Sequence, residues 1–222
     1  ALGVGGLFGY HFLYFSALRA APPVEASLIA YLWPLLIVLF SALLPGAGLR
    51  VHHVIGALVG FAGAALIVTG GRGLTLDPAF AYGYGLALAA AVVWAGFSVL
   101  SRRVAQVPTD AVTGFCLATS ALATVAHLAL ETTVWPDSSA QWLAILGLGL
   151  GPVGLAFYLW DVGVKKGDIQ VLGAASYAAP LLSTIVLVIA GPAAPSSSVA
   201  IACALITLGA VIAAKDMILR RG

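Results

Sequence analysis

Charge is what this sequence lacks most. Asp, Glu, Lys and Arg make up 8% of its 222 residues, whereas 62% are hydrophobic. A soluble domain uses roughly 25% charged residues to cover its surface, so water is not the main solvent of this chain. Long polar loops are missing too; no segment between the apolar runs is long enough to fold by itself, and any activity resides in the apolar body. Cysteine is scarce. Cys116 and Cys203 lie inside apolar runs without CxxC spacing, which implies neither a disulfide framework nor a metal site. Asn is absent, so there is no acceptor for N-glycosylation. Segments of about ten residues that alternate apolar and polar, the mark of an outer-membrane barrel, are also missing. Neither a cofactor nor a nucleic-acid partner is expected.

What remains is a set of long apolar stretches, with a mean hydropathy of +1.09 over the chain. A bilayer core of about 30 Å needs about 20 residues of helix. Breakers and charges divide the sequence into eight such spans, near 1–18, 24–45, 52–70, 80–101, 109–130, 141–164, 169–190 and 196–215. The joints carry turn chemistry: Pro22-Pro23, Pro45-Gly46, Gly70 to Gly73, Pro108, Pro136-Asp137, Lys165 to Asp168, and Pro195 with Ser196. The expected class is an all-α polytopic membrane protein with the lipid bilayer as its surroundings. Assigning alternate sides places Arg50, Arg102, Arg103, Lys165, Lys166, Lys215, Arg220 and Arg221 on one face and Arg19 and Arg72 on the other. Lys and Arg favour the cytoplasmic side of short loops. This bias predicts a cytoplasmic carboxyl terminus in a bacterial inner membrane.

The chain also repeats itself. Shifted by 146 residues without gaps, Tyr14 meets Trp160, Arg19 meets Lys165, and Tyr31-Leu32-Trp33-Pro34-Leu35-Leu36 meets Tyr177-Ala178-Ala179-Pro180-Leu181-Leu182. Further on, Gly63-Ala64-Ala65 meets Gly209-Ala210-Val211 in the same register. The shift spans five helices, an odd number, so the copies cross the membrane in opposite directions. Such inverted repeats build secondary transporters with a substrate site near the midplane. The spans at 80–101 and 109–130 have no counterpart ahead of residue 1. The repeat therefore predicts about 65 further residues upstream, making two helices, and ten helices in the parent protein.

These features resemble the drug/metabolite transporter superfamily, ten-helix carriers built from two EamA-type repeats. The stretch Ala26 to Leu35, with its Tyr31-Leu32-Trp33-Pro34, resembles the family's fourth helix; Gly85 to Ala95, followed by Arg102-Arg103, resembles its sixth. Together with Gly9-Tyr10-His11-Phe12-Leu13-Tyr14, the first of these is most similar to the aromatic amino acid exporters of the YddG type. The resemblance divides the chain into a partial first repeat, 1–72, carrying helices 3–5, and a second repeat, 73–222, carrying helices 6–10. It implies an exporter of small metabolites, aromatic amino acids first, that works by alternating access, with a monomer as the expected unit.

Polar and aromatic groups held in lipid need inward-facing partners. Tyr10 and Tyr14 share a helix face, with His11 beside them, and all three fall in mid-span rather than at the interface. Trp33, Tyr31, Trp94, Tyr158, Trp160 and Tyr177 complete the candidate lining. Pro34 and Pro180 each remove a backbone hydrogen bond in mid-span and are candidate hinges. Asp161 has Lys165 one turn on, which reads as an ion pair at the membrane surface. A rival carrier of cationic drugs, coupled to protons, would need a membrane-embedded acid, and Asp161 alone fits. Glu25 reads as an acid in a helix's first turn, His127 with Glu131 as an interface pair, and His52-His53 as headgroup contacts. Gly149 to Gly154 satisfies GxGxxG, but no soluble strand precedes it. Gly56 and Gly60 form a GxxxG packing pair. An intramembrane protease is not expected, because Gly96-Phe97-Ser98 lacks the second glycine of a nucleophile motif.

Overall fold

A computed structural model describes residues 1–46, 48–73, 75–189 and 197–219, without the side chains of residues 187, 188 and 217. The expected joint at Pro195 and Ser196 and the basic residues Arg220 and Arg221 lie outside the described residues. Helices follow the apolar runs: α1 (Leu2–Ala20), α2 (Pro23–Ala30), α3 (Trp33–Ser41), α4 (Val51–Thr69), α5 (Ala81–Arg103), α6 (Ala111–Leu130), α7 (Ser139–Leu150), α8 (Ala156–Lys166), α9 (Ile169–Ala175), α10 (Ala178–Ile189), α11 (Ser197–Ala213) and the short α12 (Lys215–Leu219). Six stretches among the described residues are long and apolar enough to cross a membrane: α2–α3, α4, α5 with its leading turn, α6, α7–α8, and α9 into α10. Beside them, α1 packs along α5 and α11 along α4, so both lie within the same slab. The chain is thus a multi-pass helical bundle.

Three spans that look continuous in sequence are interrupted. The α2–α3 span breaks at Tyr31-Leu32, one turn ahead of Pro34, and the α9–α10 span breaks at Ser176-Tyr177, ahead of Pro180. Proline donates no backbone hydrogen bond and sits readily in a first helical turn, so each Tyr-x-x-Pro starts a new half-helix. The third interruption is a π-helical turn at Gly151–Leu155, carrying Pro152. Such turns arise where a helix's hydrogen-bond ladder is disturbed. The glycine-rich stretch that satisfies GxGxxG is therefore a helix irregularity.

The repeat's inversion is visible in the packing of α4 on α11. A Cβ on Gly56 would stand 2.5 Å from the Gly209 carbonyl oxygen, and one on Gly63 would stand 3.0 Å from that of Ala202. Residue numbers rise along α4 as they fall along α11, so the helices are antiparallel. Under the shift of 146, Gly56 corresponds to Ala202 and Gly63 to Gly209. The two contacts are therefore one contact seen twice, related by a two-fold axis that passes between the helices. Glycine is required there because backbone meets backbone, as in other close membrane-helix pairs.

Most of the cationic joints gather at one end of the bundle. Arg102 donates to the Val164 and Gly167 carbonyls at 3.2 and 2.6 Å, Arg103 to the Leu43 carbonyl at 2.6 Å, and Arg50 to Asp216 at 2.5 Å. At the opposite end Arg19 pairs with Glu131, which also takes the His127 Nδ1 proton at 2.6 Å. His53 corrects the expectation of a headgroup contact: it is buried in the first turn of α4, where its Nδ1 accepts the Arg50 backbone N–H at 3.1 Å. Glu25 does sit in the first turn of α2, as its position after Pro22-Pro23 implies.

Candidate functional site

Between the antiparallel halves lies a cavity of about 540 Å³, within the roughly 300–1,000 Å³ usual for small-molecule sites. Five of the candidate residues line it: Tyr10 and His11 from α1, Trp33 from the start of α3, Trp94 from mid-α5 and Trp160 from α8. No Asp, Glu, Lys or Arg is among the described residues that line it.

Trp94 is the hub of the aromatic wall. Its ring centroid lies 5.2 Å from Tyr10, 6.2 Å from Trp33, 5.8 Å from Trp160 and 5.9 Å from Phe157. Trp33 stands edge-on to both other indoles, at interplanar angles of 81° and 82°. These edge-to-face arrangements satisfy the ring quadrupoles and make the wall one packed unit. Tyr10 stacks on Tyr14 with planes 7° apart. His11 donates its Nδ1 proton to the Leu7 carbonyl at 2.7 Å.

The remaining candidates take other positions. Tyr14 stands behind Tyr10, its hydroxyl 3.1 Å from Ser27 Oγ. Tyr177 is fully buried, and its hydroxyl accepts the Leu35 backbone N–H at 3.1 Å, an orphan donor left by the break before α3. It packs against Phe61 rather than lining the cavity. Tyr31 sits at that same break, capping α2, and is not among the described residues that line the cavity. Tyr158 points away from the aromatic wall: its hydroxyl meets Thr113 of α6 at 2.6 Å, because its neighbour Trp160 occupies the inward face of α8.

Asp161 and Lys165 form the expected pair at 2.8 Å, but a buried one, with side chains 7% and 8% exposed. Thr109 also donates to Asp161 at 2.7 Å, and Lys165 reaches the Val107 carbonyl at 2.8 Å. The pair lies toward the cationic end and neither residue is among the described residues lining the main cavity, although Asp161 borders a small void that shares Phe157 and Trp160 with it. At the cationic end too, His52, His53 and Asp216 bring three potential metal ligands within 4.8 Å of one another, with Asp216 and His53 already engaged by Arg50.

Residue-by-residue reading missed Phe157, Leu172, Ser176 and the small residues Ala156, Ala175, Ala178 and Ala179 of the lining. The repeat held the signal for several. Shifted by 146 residues, Tyr10 falls on Ala156, His11 on Phe157 and Trp33 on Ala179. His11 and Phe157 touch, centroids 5.9 Å apart; equivalent residues meet only near the axis, so the cavity lies on it.

Known proteins are similar to this chain. A protein named aromatic amino acid exporter YddG, from Ancylobacter novellus, is 60% identical over 213 residues, covering 95% of this chain and 74% of that protein. One of the same name from Escherichia coli K12 is 26% identical over 167 residues, covering 72% of this chain and 56% of that protein. An uncharacterized transporter, YyaM of Bacillus subtilis, is 27% identical over 172 residues, covering 74% and 56%. A solved crystal structure at 59% identity matches with a TM-score of 0.91 over 96% of this chain and 75% of that one. The match to the EamA-like transporter family runs over residues 1–69 and 81–214, and the chain therefore belongs to that family of bacterial multi-pass membrane transporters and is not an enzyme.

Proposed function

We propose that this chain exports amino acids, aromatic ones first, by alternating access about the cavity between its two inverted repeats, 1–72 and 73–222. The aromatic wall around Trp94 carries this reading. With no charged side chain among the described lining residues, the site suits a side chain that binds by stacking and burial. A substrate ammonium is attracted to indole faces. Its carboxylate is served by the start of α10, whose first residues Ala178 and Ala179 face the cavity, since a helix N-terminus carries positive partial charge. The breaks ahead of Pro34 and Pro180 supply the joints about which the half-helices tilt. The cationic end faces the cytoplasm of a bacterial inner membrane, and the working unit is a monomer.

The purified chain in proteoliposomes provides the test. Labelled tryptophan and phenylalanine are expected to cross, tryptophan blocking phenylalanine, and Trp94→Ala is expected to reduce flux at least tenfold. If neither amino acid moves in sealed, correctly inserted vesicles, the substrate assignment falls.

A further inference from the structure

Ser98 is one turn beyond Trp94 on α5 and fully buried. Its hydroxyl lies 2.8 Å from the Trp94 carbonyl and 3.0 Å from Trp160 Nε1. The direction of both bonds is fixed by chemistry. An indole Nε1–H only donates and a carbonyl only accepts, so Trp160 donates to Ser98 and Ser98 donates to Trp94. One hydroxyl thereby ties the side chain of one cavity tryptophan to the backbone of another, across two helices. An indole N–H in a dry slab needs such a partner, and no other bond of Trp160 Nε1 is present among the described residues.

The other repeat repeats the device. Tyr14, equivalent to Trp160 under the shift of 146, has its own polar tip 3.1 Å from a serine hydroxyl, that of Ser27. Two serines at unrelated sequence positions thus meet the polar tips of two equivalent aromatics, Trp160 in the cavity wall and Tyr14 behind Tyr10.

We propose that Ser98 is a positioning residue that sets selectivity for indole substrates by fixing the plane of Trp160; this rests on the aromatic amino acid reading above. Held by Ser98, the Trp160 ring stays edge-on to Trp33 and tilted 33° from Trp94 as part of the cavity wall. Without the hydroxyl, the indole turns to find another acceptor and the cavity loses that part of its wall. A large bicyclic substrate, which covers more of the wall, suffers more than a single ring.

The test compares the wild type with Ser98→Ala, Ser98→Thr, Trp160→Phe and the Ser98→Ala/Trp160→Phe double variant. For Ser98→Ala the tryptophan KM is expected to rise about tenfold, with maximal rate within twofold and phenylalanine KM within threefold. Ser98→Thr, which keeps the hydroxyl, is expected to restore most of the preference, and Ser98→Ala is expected to add nothing on a Trp160→Phe background. Independently of substrate, the indole N–H resonance of Trp160, assigned as the one missing from Trp160→Phe, is expected to move upfield in Ser98→Ala. An unmoved resonance, or equal KM changes for both amino acids, overturns the proposal. If the wild type transports neither amino acid, the parent reading fails first, and with it the selectivity claim, while the resonance still reports whether the tether exists.

Discussion

At the scale of single residues, the pair Asp161–Lys165 shows what burial does to an interaction legible in sequence. Their four-residue spacing announces an ion pair, but nothing in the spacing says that loop residues Thr109 and Val107 close over it. Removing one partner leaves an uncompensated buried charge, a loss of about 3–5 kcal/mol, whereas replacing both with apolar residues is often neutral. Asp161→Leu and Lys165→Met are each expected to lower the thermal midpoint in detergent sharply, and the double variant to recover most of it. Equal and additive losses would contradict the pairing. The same engagement supports a structural rather than proton-carrying Asp161. A different balance holds at the exposed end. The His127 imidazole, and then the Arg19 guanidinium, hold the Glu131 carboxyl below the usual carboxylate range. A carboxylate with a lowered folded pKa stabilises the fold above its unfolded value, about 4.3, and loses that contribution as pH falls through the folded value. Glu131→Gln is therefore expected to be slightly less stable than wild type at pH 7, with the gap closing only below about pH 4. A gap that closes instead between pH 6 and 7 would remove Glu131 as its source.

At the scale of elements, the helices were legible because twenty-residue apolar runs have few alternatives, and Pro34 and Pro180 marked candidate hinges, although the full breaks at Tyr31-Leu32 and Ser176-Tyr177 show only in the structure. The π-helical turn at Gly151–Leu155 was not, since glycines in an apolar run read equally as packing residues. The GxxxG pair Gly56 and Gly60 announced close packing without naming the partner; only the structure supplies α11. That partnership has a measurable consequence. A Cβ on Gly209 would stand 2.6 Å from the Gly56 carbonyl oxygen and 2.7 Å from the Gly60 nitrogen, both backbone atoms that cannot turn aside. Gly209→Ala is expected to cost about 1–3 kcal/mol, the range of overpacked cores. Gly147→Ala, with nothing within 4 Å of its Cβ, is expected to leave stability unchanged or raise it by less than about 1 kcal/mol. Unfolding of the two variants in the same detergent distinguishes packing from helix propensity, because propensity alone favours alanine at both positions.

At the scale of the whole molecule, the cavity lies where symmetry puts it. A single aromatic residue in an apolar chain is more often packing than site, so Tyr158 and Tyr177 were indistinguishable in sequence from Trp94 and Trp160. What sets the lining apart is its relation to the axis, marked by His11 touching Phe157 and by α4 crossing α11. A site formed by two copies threaded in opposite directions is invisible to any one segment. The threading itself is open to measurement, since antiparallel copies require the joints to alternate sides. With Cys116 and Cys203 replaced by alanine, single cysteines at Gly73 and Val134 mark the end that holds Arg19 and Glu131. Gly48 and Gln106 mark the end that holds Arg50 and Arg102. Gly48 and Gly73 have open space around the Cβ, and Val134 and Gln106 are exposed, so labelling reports sidedness rather than burial. A membrane-impermeant maleimide is expected to reach positions 73 and 134 in intact cells, and positions 48 and 106 only after permeabilisation. The opposite pattern would reverse the orientation but leave the inversion standing. Labelling of 73 and 106 from the same side would place both ends of α5 on one face of the membrane, which a single crossing helix cannot do, and the symmetric cavity would go with it.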